Sequence, residues 1–205
     1  MKKFVEKLAQ TKTPKDAKNP WDLSSAGNAV RRKNLEGYLT KMAKAKPTVL
    51  LVGEAPGYRG CGRTGAPFCS EKLILTHPFF ADRTVFDVEN ANDPIAETSA
   101  SIVWKTFDTL DFYPLMWATY PFHQHEPNNE LSNRAPRPEE VKLGREFLED
   151  IMRLFAIKRI IAVGRVAEKC LVEMVHEAYA VRHPSHGGAT LFAKGLAEFA
   201  KKYKR

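Results

Sequence analysis

The chain has 205 residues, of which 43% are hydrophobic and 27% are charged. This composition is typical of a soluble globular protein, and the length suits one domain. Lys and Arg number 32 against 24 Asp and Glu, so the formal net charge is +8. Such an excess of positive charge favours a polyanionic partner, above all nucleic acid.

The sequence excludes several other classes of protein. Its three cysteines, Cys61, Cys69 and Cys170, are too few for a disulfide framework and contain no Cys-x-x-Cys pair for zinc or iron. No apolar run reaches the ~18 residues that span a bilayer. Residues 1–20 lack the apolar stretch of a signal peptide. We therefore expect a protein of the reducing cytoplasm that has no cofactor and no membrane partner.

The first part of the chain is predicted to contain one helix and one strand. Residues 1–25 are rich in lysine and form either a mobile basic arm or a solvated helix with a linker. Apolar residues at helical spacing predict a helix over residues 27–44, which Pro47 ends. The apolar run 48–52 predicts a buried strand. A loop of unusual length then follows over residues 53–97, and loops that long are usually functional.

The second part of the chain alternates regularly between helices and strands. Thr98 or Ser99 can cap a helix, and residues 115–120 predict a second strand. The remaining predicted elements are a helix over 138–155, a strand over 159–163, a helix from Gly164, a strand over 179–182 and a helix over 189–203. This alternation predicts a mostly parallel four-stranded sheet in a three-layer α/β/α sandwich, formed as a single domain over residues 1–205.

Three loops follow the carboxyl ends of predicted strands, at residues 53–57, 121–129 and 183–188. Right-handed crossovers place such loops along one edge of the sheet, where open α/β proteins bind their ligands. We therefore expect the three loops to meet at one cleft. The first loop has one acidic side chain and little bulk, which would let a flat ligand approach the backbone closely.

Four motifs in these regions resemble those of the uracil-DNA glycosylase superfamily. They are Gly53-Glu54-Ala55-Pro56-Gly57, Gly65-Ala66-Pro67-Phe68, Asn133-Arg134-x-Pro136 and His183-Pro184-Ser185. The similarity covers residues 48–192 and is greatest to the bacterial and archaeal type that carries Gly-Glu-Ala-Pro-Gly. It implies the superfamily's fold and an enzyme that flips a deaminated base out of DNA and hydrolyses its N-glycosidic bond. It also implies a monomer that acts in base excision repair at the nucleoid.

The resemblance assigns roles to individual residues. Glu54 would orient or activate water, because the aspartate that some relatives use is replaced by Ala55. The alternatives are that His123 does so, or that charge stabilisation supplies most of the rate. His183 would donate a hydrogen bond to the leaving base. The base would be bound by Gly53, Ala55, Phe68, Thr119 and His123, with Phe68 stacked on its ring. DNA would be contacted by Pro56, Gly57, Arg59, Ser185 and His186. Glu71 is a weaker carboxylate candidate, more typical of a structural residue.

The sequence departs from the superfamily's pattern in three further ways. Relatives with Gly-Glu-Ala-Pro-Gly usually hold an iron–sulfur cluster through four cysteines, so we predict no cluster here; His123 lies close to one ligand position. The asparagine that reads the uracil edge is missing, because Ala118 or Thr119 stands there, so we expect weak discrimination between bases. The substrate is then a wider set of deaminated bases or a damaged base, or the activity is much weakened. Gly57 replaces a tyrosine of some relatives, which would leave room for bulkier bases.

Two other hypotheses remain open from the sequence. One is a non-catalytic nucleic-acid-binding relative, which the missing asparagine favours and the retained Glu54 and His183 oppose. The other is a hydrolase of free nucleotides or nucleosides. The net charge and the basic termini, which include Lys204 and Arg205, weigh against so small a substrate.

Overall fold

The computed structural model describes residues 1–203, so Lys204 and Arg205 of the basic C-terminus lie outside the described part of the chain. In chain order the helices are α1 (Lys2–Gln10), α2 (Ala26–Ala45), α3 (Cys61–Thr64), α4 (Glu71–Thr76), α5 (Thr98–Leu110), α6 (Pro138–Phe155), α7 (Arg165–Glu173) and α8 (Ala189–Tyr203). The strands are β1 (Ala17–Lys18), β2 (Val49–Gly53), β3 (Leu115–Ala118), β4 (His123–Gln124), β5 (Arg159–Val163) and β6 (Tyr179–Val181). A short 3₁₀ helix covers Pro78–Phe80.

These elements belong to two compact units. The first unit comprises residues 1–45, 55–97 and 121–136, and the second comprises residues 46–54, 98–120 and the described residues from 137 onwards. A single domain over the whole chain therefore stays a prediction.

The first unit contains α1 to α4 and a small antiparallel sheet in which Lys18 of β1 lies opposite His123 of β4. Its core is rich in buried aromatic side chains, namely Trp21, Tyr38, Phe80, Phe86 and Phe122. Phe80 and Phe86 meet edge to face with their ring centroids 5.0 Å apart, a favourable geometry for aromatic pairs.

Two predictions for the first unit need correction. Helix α1 buries Phe4, Val5, Leu8 and Ala9, so residues 2–10 form a packed helix rather than a mobile arm. Residues 61–80 contain α3, α4 and the 3₁₀ helix, so the predicted loop over residues 53–97 is interrupted by regular structure. These helices have three to six residues, which is too short for hydrophobic periodicity to reveal.

The second unit is built on a parallel four-stranded sheet in the order β3-β2-β5-β6. The connection from β2 to β3 runs along the sheet in one direction, and the next two connections run in the other. Right-handed crossovers therefore place α5 on one face and α6 and α7 on the opposite face. Helix α8 packs on α5 and β6. The predicted three-layer α/β/α architecture is confirmed, with a helix over 138–155 and a strand over 159–163 at the expected bounds.

The sheet positions its loops at a shared edge. Val52 of β2 pairs with Ala162, and Val163 of β5 pairs with Val181, so these strands end at nearly the same level. The strand order reverses between β2 and β5, which is where sheets of this topology bind ligands. Strand β3 ends at Ala118, two residues earlier than predicted, and β6 ends one residue earlier, at Val181.

Gly144 allows α6 to approach the turn after β3 unusually closely. A Cβ atom at this position would overlap the carbonyl oxygen of Thr119. Since the obstacle is backbone rather than a movable side chain, only glycine fits here without displacing the turn.

Candidate active site

Glu54 and His183 lie at the same edge of the parallel sheet. Glu54 directly follows β2, and His183 follows β6 after one intervening residue. A single strand, β5, separates β2 from β6. Since neighbouring strands lie about 4.8 Å apart, the ends of these two strands are roughly 10 Å apart. The second unit therefore brings the two predicted catalytic residues to one edge.

The turn after β3 holds the backbone of Glu54. The carbonyl oxygen of Glu54 accepts hydrogen bonds from the Thr119 hydroxyl at 2.7 Å and from the Tyr120 N–H at 3.2 Å. The preceding carbonyl, of Gly53 in β2, accepts from the Thr119 N–H at 2.9 Å. Burial raises the pKa of the Glu54 carboxyl above its ordinary value, which makes the carboxylate a stronger base.

The position of Thr119 does not suit the predicted contact with a base. Its side chain is 0% exposed, and its hydroxyl proton is used by the Glu54 carbonyl. Thr119 therefore holds Glu54, and Ala118, the other position predicted for the missing asparagine, is half-buried.

The loop after β6 fixes the tautomer of His183. Its Nδ1 accepts a hydrogen bond from the backbone N–H of Ser185 at 3.2 Å and lies 2.7 Å from the Ser185 hydroxyl. A backbone N–H can only donate, so Nδ1 carries no proton and the neutral ring carries its proton on Nε2. Burial lowers the pKa of His183, and the charges of Arg182 and His186 lower it further, so the neutral ring is favoured.

Gly164 also lies at this edge of the sheet, although the sequence predicts it only as the start of a helix. It follows β5 with φ at +82°, and a Cβ atom added there would lie 3.4 Å from the Cβ of His183. Its N–H donates to the Val181 carbonyl at 2.9 Å, which ties the ends of β5 and β6 together. A glycine at a strand-to-helix junction was the signal that could have identified it.

In the first unit, His123 holds the loop that follows β2. Its Nδ1 lies 3.0 Å from the Pro56 carbonyl oxygen, and its Nε2 lies 3.2 Å from the Glu130 carbonyl oxygen. The residue is 4% exposed, and burial lowers the pKa of its ring. Both ring nitrogens thus face protein carbonyls, which opposes the predicted roles of His123 as a base-binding residue and as an alternative activator of water.

Glu97 occupies the space beside Gly57. A Cβ atom at Gly57 would lie 2.5 Å from Glu97 Oε1, so the glycine accommodates a protein carboxyl and does not by itself open room for a bulkier base. Burial raises the pKa of Glu97 to about 7. No sequence motif surrounds Glu97. Asn133, by contrast, lies in a predicted motif, and its Oδ1 accepts from the Tyr58 N–H at 3.0 Å.

Several predicted ligand-binding residues remain accessible. Phe68 is half-buried with φ at +49°, and a bulky residue in this conformation is uncommon and typical of functional sites. Arg59 is exposed and its guanidinium lies 5.4 Å from the Tyr58 ring centroid. Ala55 and Ser185 are half-buried and His186 is exposed. Pro56, by contrast, is buried, which opposes its predicted contact with DNA.

The remaining candidates have structural contacts. Glu71 is 1% exposed, pairs with Arg63 Nε at 2.9 Å and accepts the Ile95 N–H at 3.0 Å, which confirms its structural role. Cys61 and Cys69 are buried, and burial raises the pKa of both thiols.

Two other kinds of feature are absent from the described residues. Across residues 1–203, no three His, Cys, Asp or Glu side chains are grouped as metal ligands. Over the same residues, no helix combines the length and apolarity needed to cross a bilayer.

Comparison with known proteins identifies the family. The crystal structure of wild-type Pedobacter heparinus SMUG2 is similar to this chain, with a TM-score of 0.65 and 16% sequence identity over 98% of each chain. At this identity the likeness shows a shared fold. No curated protein matches the sequence. The sequence model of the uracil DNA glycosylase superfamily matches residues 40–203, which is most of the chain. The chain therefore belongs to the uracil-DNA glycosylase superfamily.

Proposed function

We propose that this protein is a DNA glycosylase that flips a deaminated base, uracil or a related base, out of DNA and hydrolyses its N-glycosidic bond. The proposal rests on the edge of the parallel sheet, where a half-buried carboxylate, Glu54, follows β2 and a histidine held as the Nε2–H tautomer, His183, follows β6, with only β5 between the two strands. Superfamily membership supports the same chemistry. The product is an abasic site for base excision repair in the cytoplasm.

In the proposed reaction, His183 stabilises the leaving base. When the glycosidic bond breaks, its electron pair passes to the base, and negative charge develops on a base carbonyl oxygen. The Nε2–H of neutral His183 donates a hydrogen bond to that oxygen. Such a donor typically lowers the activation free energy by ~3 kcal/mol, because it is already oriented when the charge develops.

Glu54 is proposed to position the attacking water. Its carboxylate accepts a hydrogen bond from the water and then a proton as the water oxygen bonds to the sugar carbon. The carboxylate must be ionised for this step, so the rate falls as the pH drops through the pKa of Glu54, which burial has raised. Thr119 supports the step through its hydrogen bond to the Glu54 carbonyl.

The remaining roles concern binding. Phe68 is proposed to stack on the extrahelical base, a contact worth ~1–3 kcal/mol. Gly53, Ala55, Pro56 and Gly57 would allow close approach of the ligand to the backbone. Arg59, Ser185 and His186 would contact DNA phosphates, and the net charge of +8 supports attraction to DNA.

A strand-cleavage assay tests the proposal. Oligonucleotides that carry uracil, hypoxanthine or xanthine, in single and double strands, are incubated with the protein, and alkali then cleaves any abasic sites. We expect strand breaks with at least one lesion. His183→Ala and Glu54→Gln should each lower the rate by about a hundredfold. His176→Ala and Glu177→Gln, in the segment after α7, are matched controls that should keep the wild-type rate.

The same assay distinguishes the alternative functions. Salt-dependent binding to DNA without strand breaks on any lesion would favour a non-catalytic relative. Release of base from free nucleosides, with none from DNA, would favour a nucleoside hydrolase.

A further inference from the structure

Three polar side chains form a continuous chain of hydrogen bonds in the loop after β6. Ser185 Oγ lies 2.7 Å from Nδ1 of His183 and 2.8 Å from Nδ1 of His186. A serine hydroxyl has one proton, so it donates to one of these rings and accepts from the other. The chain therefore has a direction.

The backbone determines this direction. The Ser185 N–H donates to His183 Nδ1, so that nitrogen is an acceptor and cannot donate to the hydroxyl. The contact between Ser185 Oγ and His183 Nδ1 is then a hydrogen bond only if the hydroxyl donates. Its oxygen in turn accepts from His186, whose proton lies on Nδ1. The order of donors is His186, Ser185, His183.

The local fold holds His186 in place for this contact. His186 and Gly187 both adopt left-handed backbone conformations, with φ at 51° and 74°. The Gly188 N–H donates to the Ser185 carbonyl at 3.0 Å. A Cβ atom at Gly188 would lie 3.0 Å from that carbonyl oxygen, so glycine permits the tight turn. A left-handed residue with a non-glycine side chain is typical of positions under functional constraint.

We propose that His186 is a positioning residue, which donates from Nδ1 to the Ser185 hydroxyl and so directs the hydroxyl proton onto Nδ1 of His183, holding His183 as the Nε2–H donor. Its effect on rate depends on the proposed glycosylase function, whereas the hydrogen-bond order does not. His186 thus acts through two other side chains, and it needs no contact with the base to do so.

The charged and titratable groups that act on His183, among the described residues, are Arg182 and His186. The Arg182 guanidinium also donates to the His183 carbonyl at 3.3 Å. Loss of His186 should raise the pKa of His183 for two reasons. Without His186, the Ser185 hydroxyl no longer favours the unprotonated Nδ1 of the neutral His183 ring. A neighbouring positive charge is also lost.

Nitrogen NMR on the full-length protein, labelled with ¹⁵N-histidine, tests the order of donors directly. In the wild-type protein we expect Nδ1 of His183 to be unprotonated and Nε2 to be protonated. The variants to compare are His186→Ala, Ser185→Ala and His186→Asn, with His176→Ala as the control. Asparagine tolerates the left-handed conformation and keeps an N–H donor without a titrating charge.

We expect His183 to titrate at higher pH in His186→Ala and Ser185→Ala than in wild type. His186→Asn should titrate closer to wild type. In single-turnover cleavage, the two alanine variants should be about three- to tenfold slower, which is the usual effect of one lost hydrogen bond, and His186→Asn should recover most of the rate. The acid limb of the pH–rate profile should move to higher pH in the alanine variants.

Three results would overturn the proposal. The first is a protonated Nδ1 on His183 in the wild-type protein. The second is an unchanged His183 titration in His186→Ala. The third is a His186→Asn variant that titrates as the alanine variant does, because His186 would then act only through its charge. A protein that shows the expected titrations but cleaves no DNA would refute the proposed function and leave the positioning role intact.

Discussion

Ala118 lies at the end of β3, where the resemblance to the superfamily predicts a base-reading asparagine. It pairs with Gly53 in the last register position of the sheet, and it has no polar side-chain atom. Its neighbour Thr119 is occupied with the Glu54 carbonyl. An amide that pairs with the base edge rejects wrong bases, because a wrong base leaves the amide unpaired. A site without that amide has no such penalty, so we expect several deaminated bases to be accepted.

Restoring the amide should narrow the choice of base. We expect Ala118→Asn to raise the ratio of uracil to hypoxanthine excision by about tenfold, since one bidentate contact is worth ~1–3 kcal/mol. Single-turnover rates on matched oligonucleotides measure the ratio. Ala180→Asn, at an exposed position of β6, is the control. An unchanged ratio in Ala118→Asn would show that this position does not read the base.

The carboxyl of Glu97 should make the stability of the protein depend on pH. Burial raises its folded-state pKa to about 7 from an ordinary value of 4.5. Between these pH values the folded state keeps a proton that the unfolded state has lost, so the free energy of unfolding falls as the pH rises. Above pH 7 both states are ionised, and the cost of the buried charge is then complete at about 3 kcal/mol.

Glu97→Gln should remove this dependence, because glutamine does not ionise. Relative to wild type, the variant should gain stability between pH 5 and pH 8, by up to about 3 kcal/mol in urea unfolding. The comparison uses the change in the free energy of unfolding between the two pH values. The contribution of any hydrogen bond that the substitution alters equally at both pH values then cancels. Glu126→Gln, at an exposed position, should show no such gain. If the free energies of unfolding of Glu97→Gln and wild type changed with pH in parallel, the raised pKa of Glu97 would be contradicted.

Among the elements, α6 and the turn after β3 depend on each other through Gly144. Gly144→Ala would force a methyl group into the Thr119 carbonyl, so either the helix or the turn must shift. We expect a loss of about 1–3 kcal/mol in the free energy of unfolding, as for other overpacked sites. The cleavage rate should also fall, because the Thr119 hydroxyl holds Glu54.

Gly195→Ala in α8 is the matched control for this substitution. Its added methyl would lie 3.0 Å from a γ-carbon of Val181, a side-chain contact that can adjust more easily than backbone. Alanine also favours helix over glycine by ~1 kcal/mol, which offsets the crowding. Equal stability losses in the two variants would argue against a special contact at Gly144.

At the scale of the whole molecule, the net charge of +8 should make binding to DNA strongly dependent on salt. If two to four phosphates are neutralised, raising the salt concentration from 50 to 200 mM should weaken binding roughly tenfold to a hundredfold. Fluorescence anisotropy with an undamaged duplex measures this. An affinity for DNA that does not change with salt would mean that the positively charged side chains do not contact the DNA phosphates.

The sequence by itself determined the parts of this protein that depend on local pattern. Long periodic segments such as 138–155 and 189–203 specify helices wherever they lie, because an apolar stripe must be buried. The order of helices and strands then specified a parallel sheet, and with it the common edge at which Glu54 and His183 lie. The short helices α3 and α4 could not be predicted because four and six residues are too few to show a helical apolar pattern.

Only the tertiary structure decided what the polar side chains do. The Thr119 hydroxyl bonds a carbonyl 65 residues away, and the His123 ring bonds one 67 residues away, so neither partner can be read from neighbouring sequence. Glu97 likewise acquires its raised pKa from burial beside the Gly57 loop. A polar group that is buried takes the partners the fold brings to it, and those partners are set by packing rather than by spacing along the chain.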